Sequence, residues 1–221
     1  MRTMNHLKTL LLLATATTVL TACHKERLHG TGNIVTQERN LSPFQNVRIE
    51  GPVKARIHYG NTQEVIVRTD AVAVNELRTT VGNNTLVLDV DQHINYQHID
   101  FEVDIHMPVI HSLVHEGVSN SSLSGFFGLD ALVVQHDGVG DLNFSGSANV
   151  LHINHDGVGD LHAFGFVVDT CHVAHSGVGN IHVTVNDQLS GYLSGVGNLY
   201  YQGSPQVNIT DTGVGQVYHI D

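Results

Sequence analysis

A Gly-Val-Gly triplet returns through the C-terminal half of this chain about every nineteen residues. It reads Gly138-Val139-Gly140, Gly157-Val158-Gly159, Gly177-Val178-Gly179, Gly195-Val196-Gly197 and Gly213-Val214-Gly215, with a degenerate forerunner at Gly117-Val118-Ser119. Successive first glycines are 21, 19, 20, 18 and 18 residues apart. Self-similarity at a short fixed period is the mark of a solenoid, in which each unit buries its apolar face only by stacking on its neighbours. Such a fold is a long surface before it is a pocket, which points towards binding or display.

Around each triplet the residues alternate as in strands. Before it come Leu132-Val134-His136, Leu151-Ile153-His155, Cys171-Val173-His175, Leu189-Gly191-Leu193 and Val207-Ile209-Asp211, taken every second residue. After it come Leu142-Phe144, Leu161-Ala163, Ile181-Val183, Leu199-Tyr201 and Val217-His219. Period-two alternation puts these sets on one face, and stacked rungs lie about 4.8 Å apart. The glycines Gly138, Gly140, Gly157, Gly159, Gly177, Gly179, Gly195, Gly197, Gly213 and Gly215 then serve corners where a side chain would clash or where φ must be positive. Upstream, 33–38, 47–50, 53–59, 64–69 and 85–90 read as strands, with Gly51-Pro52, Gly60-Asn61 and Gly82-Asn83-Asn84 as turns. Residues 71–80 read as extended. No apolar 3.6-residue period of helix length follows the first 22 residues. The expectation is an all-β parallel β-helix, one domain over 30–221, its N-terminal strands supplying the early rungs and a cap.

The first 22 residues carry Arg2 and Lys8, an apolar run from Leu10 to Leu20, and a small-residue end. That is the form of a secretory signal, too short for a transmembrane helix of about 20 apolar residues. Leu20-Thr21-Ala22-Cys23 resembles the lipobox of bacterial lipoproteins, which implies that Cys23 is acylated and anchors the chain to a membrane. His24 and Lys25 follow, with no Asp in the position that resembles an inner-membrane retention signal, so the outer membrane is favoured. Residues 23–29 are then the lipidated cysteine and a tether. With Cys23 acylated, Cys171 is the one thiol left and no internal disulfide forms.

Losing Arg2 and Lys8 from the ten basic residues leaves eight against 21 acidic ones. Arg78 is the last basic residue, so positions 79–221 hold no Lys or Arg. Nucleic acid binding needs cationic contacts with phosphate, and this region offers none. It is rich instead in histidine, of which the chain has 17.

Gly30-Thr31-Gly32-Asn33-Ile34, Phe44-Gln45-Asn46-Val47-Arg48-Ile49 and Asn84-Thr85-Leu86-Val87-Leu88, in that order ahead of Gly-x-Gly corners, carry a family likeness. Over roughly residues 28–221 the chain resembles the DUF2807 family, named for the head (GIN) domain of autotransporter adhesins. The resemblance implies a right-handed parallel β-helix, a surface lipoprotein or secreted setting, and adhesion. The chain departs from it in placing His and Asp where Ser commonly flanks the glycines.

His115, His136, His155 and His175 hold one place in four successive rungs and point inward by alternation. His152 with His172, and His162 with His182, form outward neighbour pairs. A metal reading takes these pairs, with Asp137 and Asp156 supplying carboxylates, as sites for Zn, Cu or Ni. A structural reading takes all the columns as ladders copied by duplication, with the inward imidazoles neutral and hydrogen-bonded. Gly-Val-Gly-Asp is similar to calcium-binding β-roll turns, but later rungs replace the Asp by Asn or Gln, which weakens binding of a hard cation. No catalytic motif is present, and His136 and Asp137, adjacent on a strand, face opposite ways.

The sequence therefore reads as a non-catalytic, lipid-anchored envelope protein presenting a rigid solenoid to a protein or glycan partner. The terminal rung offers an edge for homo-oligomer formation. The alternatives are a periplasmic or surface metal-binding protein and, further off, a polysaccharide-active β-helix enzyme.

Overall fold

The computed structural model describes residues 26–221; the signal segment 1–22 and the acylation candidate Cys23 lie outside the described residues. The described chain is all β, without a helix. Its first strands are β1 (Glu26–His29), β2 (Ile34–Glu38), β3 (Asn46–Ile49), β4 (Val53–Tyr59), β5 (Glu64–Asp70) and β6 (Leu77–Gly82). Then come β7 (Thr85–Val90), β8 (Ile94–Gln97), β9 (Phe101–Met107) and β10 (Ser112–His115). The repeats follow as β11 (Ser121–His136), β12 (Leu142–His155), β13 (Leu161–His175), β14 (Ile181–Leu193), β15 (Leu199–Gln202), β16 (Gln206–Asp211) and β17 (Val217–His219). Parallel stacking of these strands makes a β-solenoid of about five turns with rungs of about 20 residues.

Each long strand runs from one glycine corner to the next and bends midway at a register shift, as between Phe126 and Leu129 of β11. The alternation expected from the sequence holds. Leu132, Val134, Leu151, Ile153, Cys171, Val173, Leu189 and Leu193 are buried on one side of the corner. Leu142, Phe144, Leu161, Ala163, Ile181, Val183 and Leu199 are buried on the other. In the last rung Val207 is 43 % exposed, and Val217 only partly covered, because nothing described stacks beyond it.

The N-terminal strands depart from simple succession. β7 and β9 form one rung, and β3 and β4 form the next one inward, although they come earlier in the chain. β10 and β11 then stack on β3 and β4. The outer rung is closed by antiparallel strands, β6 on β7 and β5 on β9, with β2 antiparallel on β5. Antiparallel partners interrupt the stacking direction and blunt an edge that would otherwise template further pairing. Residues 26–29, read from sequence as tether, form β1 and pair with β8. Residues 71–76 form turns rather than extended chain, because the N–H groups of Ala73 and Glu76 bond back to Asp70 and Ala73.

The Gly30-Thr31-Gly32 opening is held by Asp70, which is buried and accepts hydrogen bonds from the backbone N–H groups of Thr31, Gly32 and Val72 and from the Thr31 hydroxyl. Burial alone would raise this carboxyl's pKa, but those donors outweigh it and hold the group below the ordinary range.

Candidate functional site

The corners are built by backbone. Val158 donates its N–H to Gly138 O at 2.9 Å, while its own carbonyl accepts from Gly140 N at 2.8 Å. The same bridge recurs from Val118 through Val139, Val158, Val178 and Val196 to Val214. The glycines are required by closeness. A Cβ on Gly157 would lie 2.3 Å from Gly138 O, and one on Gly159 would lie 2.2 Å from Gly140 O, at a φ of +137°. Gly117 stacks in the same way on Gly51, so Gly51-Pro52, read from the sequence as a turn, begins the corner column.

A polar ladder follows the second glycine. Asn120, Asp141, Asp160, Asn180 and Asn198 each present a side-chain oxygen to the backbone N–H of the equivalent residue in the next rung, at 2.8, 2.9, 2.7, 3.0 and 3.1 Å, ending on Gln216. Asn serves as well as Asp because only one acceptor oxygen is needed. These residues are occupied in closing the corner.

The inward histidines form one buried column. His115, His136 and His155 are fully buried and His175 is 2 % exposed. Their ring centroids are 5.1, 4.7 and 4.8 Å apart in succession. Ile49 occupies the same place in the rung before His115, and Leu193 in the rung after His175. His155 Nε2 lies 2.8 Å from Gly159 O, so it carries the proton. His155 Nδ1 is then an acceptor, and His175 Nδ1, 3.1 Å away, is the donor. Both ring nitrogens of His136 have no hydrogen-bond partner. Burial holds His115 and His175 below the usual imidazole pKa, and His175 also faces His155. Burial, reinforced by His155 and His115, takes His136 down to about 3. His115, His136 and His175 are therefore neutral at physiological pH.

Both outward pairs form. His152 and His172 stack at 4.9 Å with rings 17° from parallel, and His172 Nδ1 lies 2.7 Å from Ser190 Oγ. This pair lines a shallow groove of about 330 Å³ with Val133, Asn154 and Tyr192. His162 and His182 stack at 5.0 Å, and the column continues through Tyr200 at 5.0 Å to Tyr218 at 5.3 Å. The carboxylates do not join them. Asp156 lies four residues along the strand from His152, about 13 Å at strand rise, and accepts from Asn154 and the Ser176 hydroxyl. Asp137 takes the Gln135 amide at 2.6 Å. Among the described residues no group of three or more His, Cys, Asp or Glu side chains gathers as metal ligands do.

Sequence reasoning left three features unread. Tyr200 and Tyr218 extend a column known only by its histidines, although their registry with His182 is visible in the repeat spacing. The sequence relates the Asp and Asn after the second glycine to a calcium-binding turn and does not show their bonds to the next rung's N–H. The valine between the glycines has no role in the sequence reading.

The fold has known relatives. It superposes on a putative adhesin from Bacteroides fragilis with a TM-score of 0.74 at 19 % identity, covering 87 % of this chain and all of that one. A putative lipid binding protein from Parabacteroides distasonis gives 0.53 at 16 % identity, with 87 % and 100 % covered. A putative adhesin from the same organism gives 0.50 at 17 %, with 88 % and 100 % covered. At these identities the likeness is one of fold. No curated protein matches the chain significantly. The family model described as "Putative auto-transporter adhesin, head GIN domain" matches residues 43–205, most of the chain, and this protein therefore belongs to the DUF2807 family.

Proposed function

We propose that this protein is a non-catalytic lipoprotein of the cell envelope, anchored to the outer membrane through Cys23, that presents its solenoid face to a protein or glycan. The observation that carries this reading is the in-register stacking of β11 to β14, which holds outward side chains in fixed columns over successive rungs. The corner backbone bonds and the Asp/Asn ladder bind each rung to the next, so the face is presented rigid and costs little ordering entropy on contact. The family name and the relatives named as adhesins agree with a surface setting.

The test uses the full chain expressed in a Gram-negative host. Incorporation of a labelled fatty acid, lost in Cys23→Ala, and outer-membrane fractionation address the anchor. Beads coated with the chain and challenged with extracellular proteins and envelope glycans address display: saturable, chelator-insensitive capture supports the reading, and uniform failure to capture removes it.

The second reading, a metal-binding protein for Zn, Cu or Ni, is favoured by the stacking of His152 on His172 in their groove. Two imidazoles on adjacent strands are a two-donor site, so binding stays weak unless a further ligand is brought in. Calorimetric titration of chelator-stripped protein separates the readings. Stoichiometric submicromolar binding lost in His152→Ala/His172→Ala puts metal first.

Self-association through the last rung belongs to the same proposal. Val207 is 43 % and Val214 70 % exposed there, beside strand edges unpaired among the described residues. A concentration-dependent dimer in sedimentation, broken by Val207→Lys, is the expected sign.

A further inference from the structure

The valines between the corner glycines form a line of their own. Val118, Val139, Val158, Val178, Val196 and Val214 are bridged in succession and are 62, 48, 49, 48, 49 and 70 % exposed. Five steps at about 4.8 Å give an apolar line about 24 Å long on one edge of the solenoid. Exposed valines are unremarkable singly, but a contiguous apolar run marks a contact surface. Copying alone does not account for it, because the neighbouring positions have drifted. The residue before each corner runs Glu116, Asp137, Asp156, Ser176, Ser194, Thr212, and the residue after it runs Asn120, Asp141, Asp160, Asn180, Asn198, Gln216, with Ser119 in place of the second glycine in the first copy. Six copies keep valine while both flanks change. Backbone geometry asks only for a residue tolerant of a bridge, a role open to Thr or Ile.

The flanks set the charge of what fits. Val139 lies between Asp137 and Asp141, and Val158 between Asp156 and Asp160, so the middle of the line carries two carboxylates on each side. Among the described residues none of the four is ion-paired: the salt bridges involve Arg48, Arg56, Arg68, Arg78, His93 and His219. No Lys or Arg occurs after Arg78 to compete for them.

We propose that this valine edge is the contact face, and that its partner is a cationic amphipathic peptide segment: a narrow apolar ridge lying along the valines, with Lys or Arg side chains reaching the carboxylates on both sides. The inference rests on the display reading above and names where contact is made and with what chemistry. The apolar line supplies affinity, and the acidic rims supply orientation and on-rate.

The test uses residues 26–221, which contain the buried core found among the described residues. The probe is an 18-residue amphipathic helix of Leu and Lys, with a Leu/Glu peptide and a Ser/Lys peptide of equal charge as controls. Val139→Thr/Val158→Thr/Val178→Thr keeps the β-branched shape and removes the apolar line. Asp137→Asn/Asp141→Asn/Asp156→Asn/Asp160→Asn keeps the acceptor oxygens, as Asn180 and Asn198 already do. Saturable binding of the Leu/Lys peptide is expected, weakened about tenfold or more by either variant, with neither control binding. Equal binding of the Ser/Lys peptide, or no effect of the valine variant at unchanged melting temperature, overturns the proposal in favour of bulk charge. A wild-type dimer dissolved by the valine variant overturns it in favour of a second copy. If the probe fails while bead capture succeeds, this edge is excluded and the display reading survives.

Discussion

His175 Nδ1 lies 3.1 Å from His155 Nδ1 inside the solenoid, with His175 2 % exposed and His155 fully buried. The two facing Nδ1 atoms share the single proton that His175 donates, and a second proton between them would meet the first. The pH dependence of the fold follows. His115, His136 and His175 have folded pKa values below the unfolded value of 6.5, so at acid pH the unfolded chain binds more protons than the folded one. Stability is full above about 6.5 and falls as pH drops below it, until the folded-state pKa is passed, at about 3 for His136. Each such group contributes a slope of up to about 1.4 kcal/mol per pH unit within its window. The melting temperature should drop clearly between pH 7.5 and 5. A flat profile would refute the neutral-column account.

His136→Leu tests the same column from the other side. Ile49 and Leu193 already fill the place in the bounding rungs, and both nitrogens of His136 are without partners. A buried polar group without a bond costs about 1–3 kcal/mol. The variant should equal or exceed wild type in stability at pH 7.5, and its pH slope should be shallower. Destabilisation by more than about 2 kcal/mol in urea titration would show that the imidazole makes bonds the geometry does not display.

At the corners, Gly159→Ala sets a Cβ 2.2 Å from Gly140 O at a φ of +137°. A loss of about 2–4 kcal/mol is expected from clash and backbone strain together. Gly82→Ala, where nothing lies within 4 Å, is the control. It should change stability by less than about 1 kcal/mol. Equal effects at the two sites would contradict the corner geometry.

Asp160→Ala removes the acceptor for Asn180 N–H, and Asp160→Asn restores one. The alanine variant should lose about 1–2 kcal/mol and the asparagine variant less than half of that. Burial raises the Asp160 pKa, yet the bonds from Asn180 outweigh it and hold the group below 3.8. Its contribution is therefore present above that value and lost as pH falls through the folded pKa, below the window of the histidines. Matching losses in both variants, followed by denaturant titration, would assign the effect to charge.

Much of the repeat was legible because a glycine pair pins the register: with Gly157 and Gly159 at a corner, Leu151, Ile153 and His155 can only point inward. The N-terminal strands carry no such pin. Alternation in Glu64–Asp70 or Leu77–Gly82 looks the same whether the neighbour runs parallel or antiparallel, so the caps and the swapped order of the first two rungs were unreadable. Asp70 and Thr31 stand 39 residues apart with nothing local to link them. The histidine pairs were foreseen from spacing. Their separation from Asp156 was not, because sequence shows which face a side chain takes but hides how far along the strand its companion lies.

Each corner asks only for the glycine pair beneath it and supplies the same to the pair above, whereas the antiparallel strands close one end alone. The stack is thus modular in one direction. Inserting or deleting a unit of about twenty residues would shift reach in steps of about 4.8 Å and leave every other joint unchanged, so that length becomes a heritable dial separate from surface chemistry.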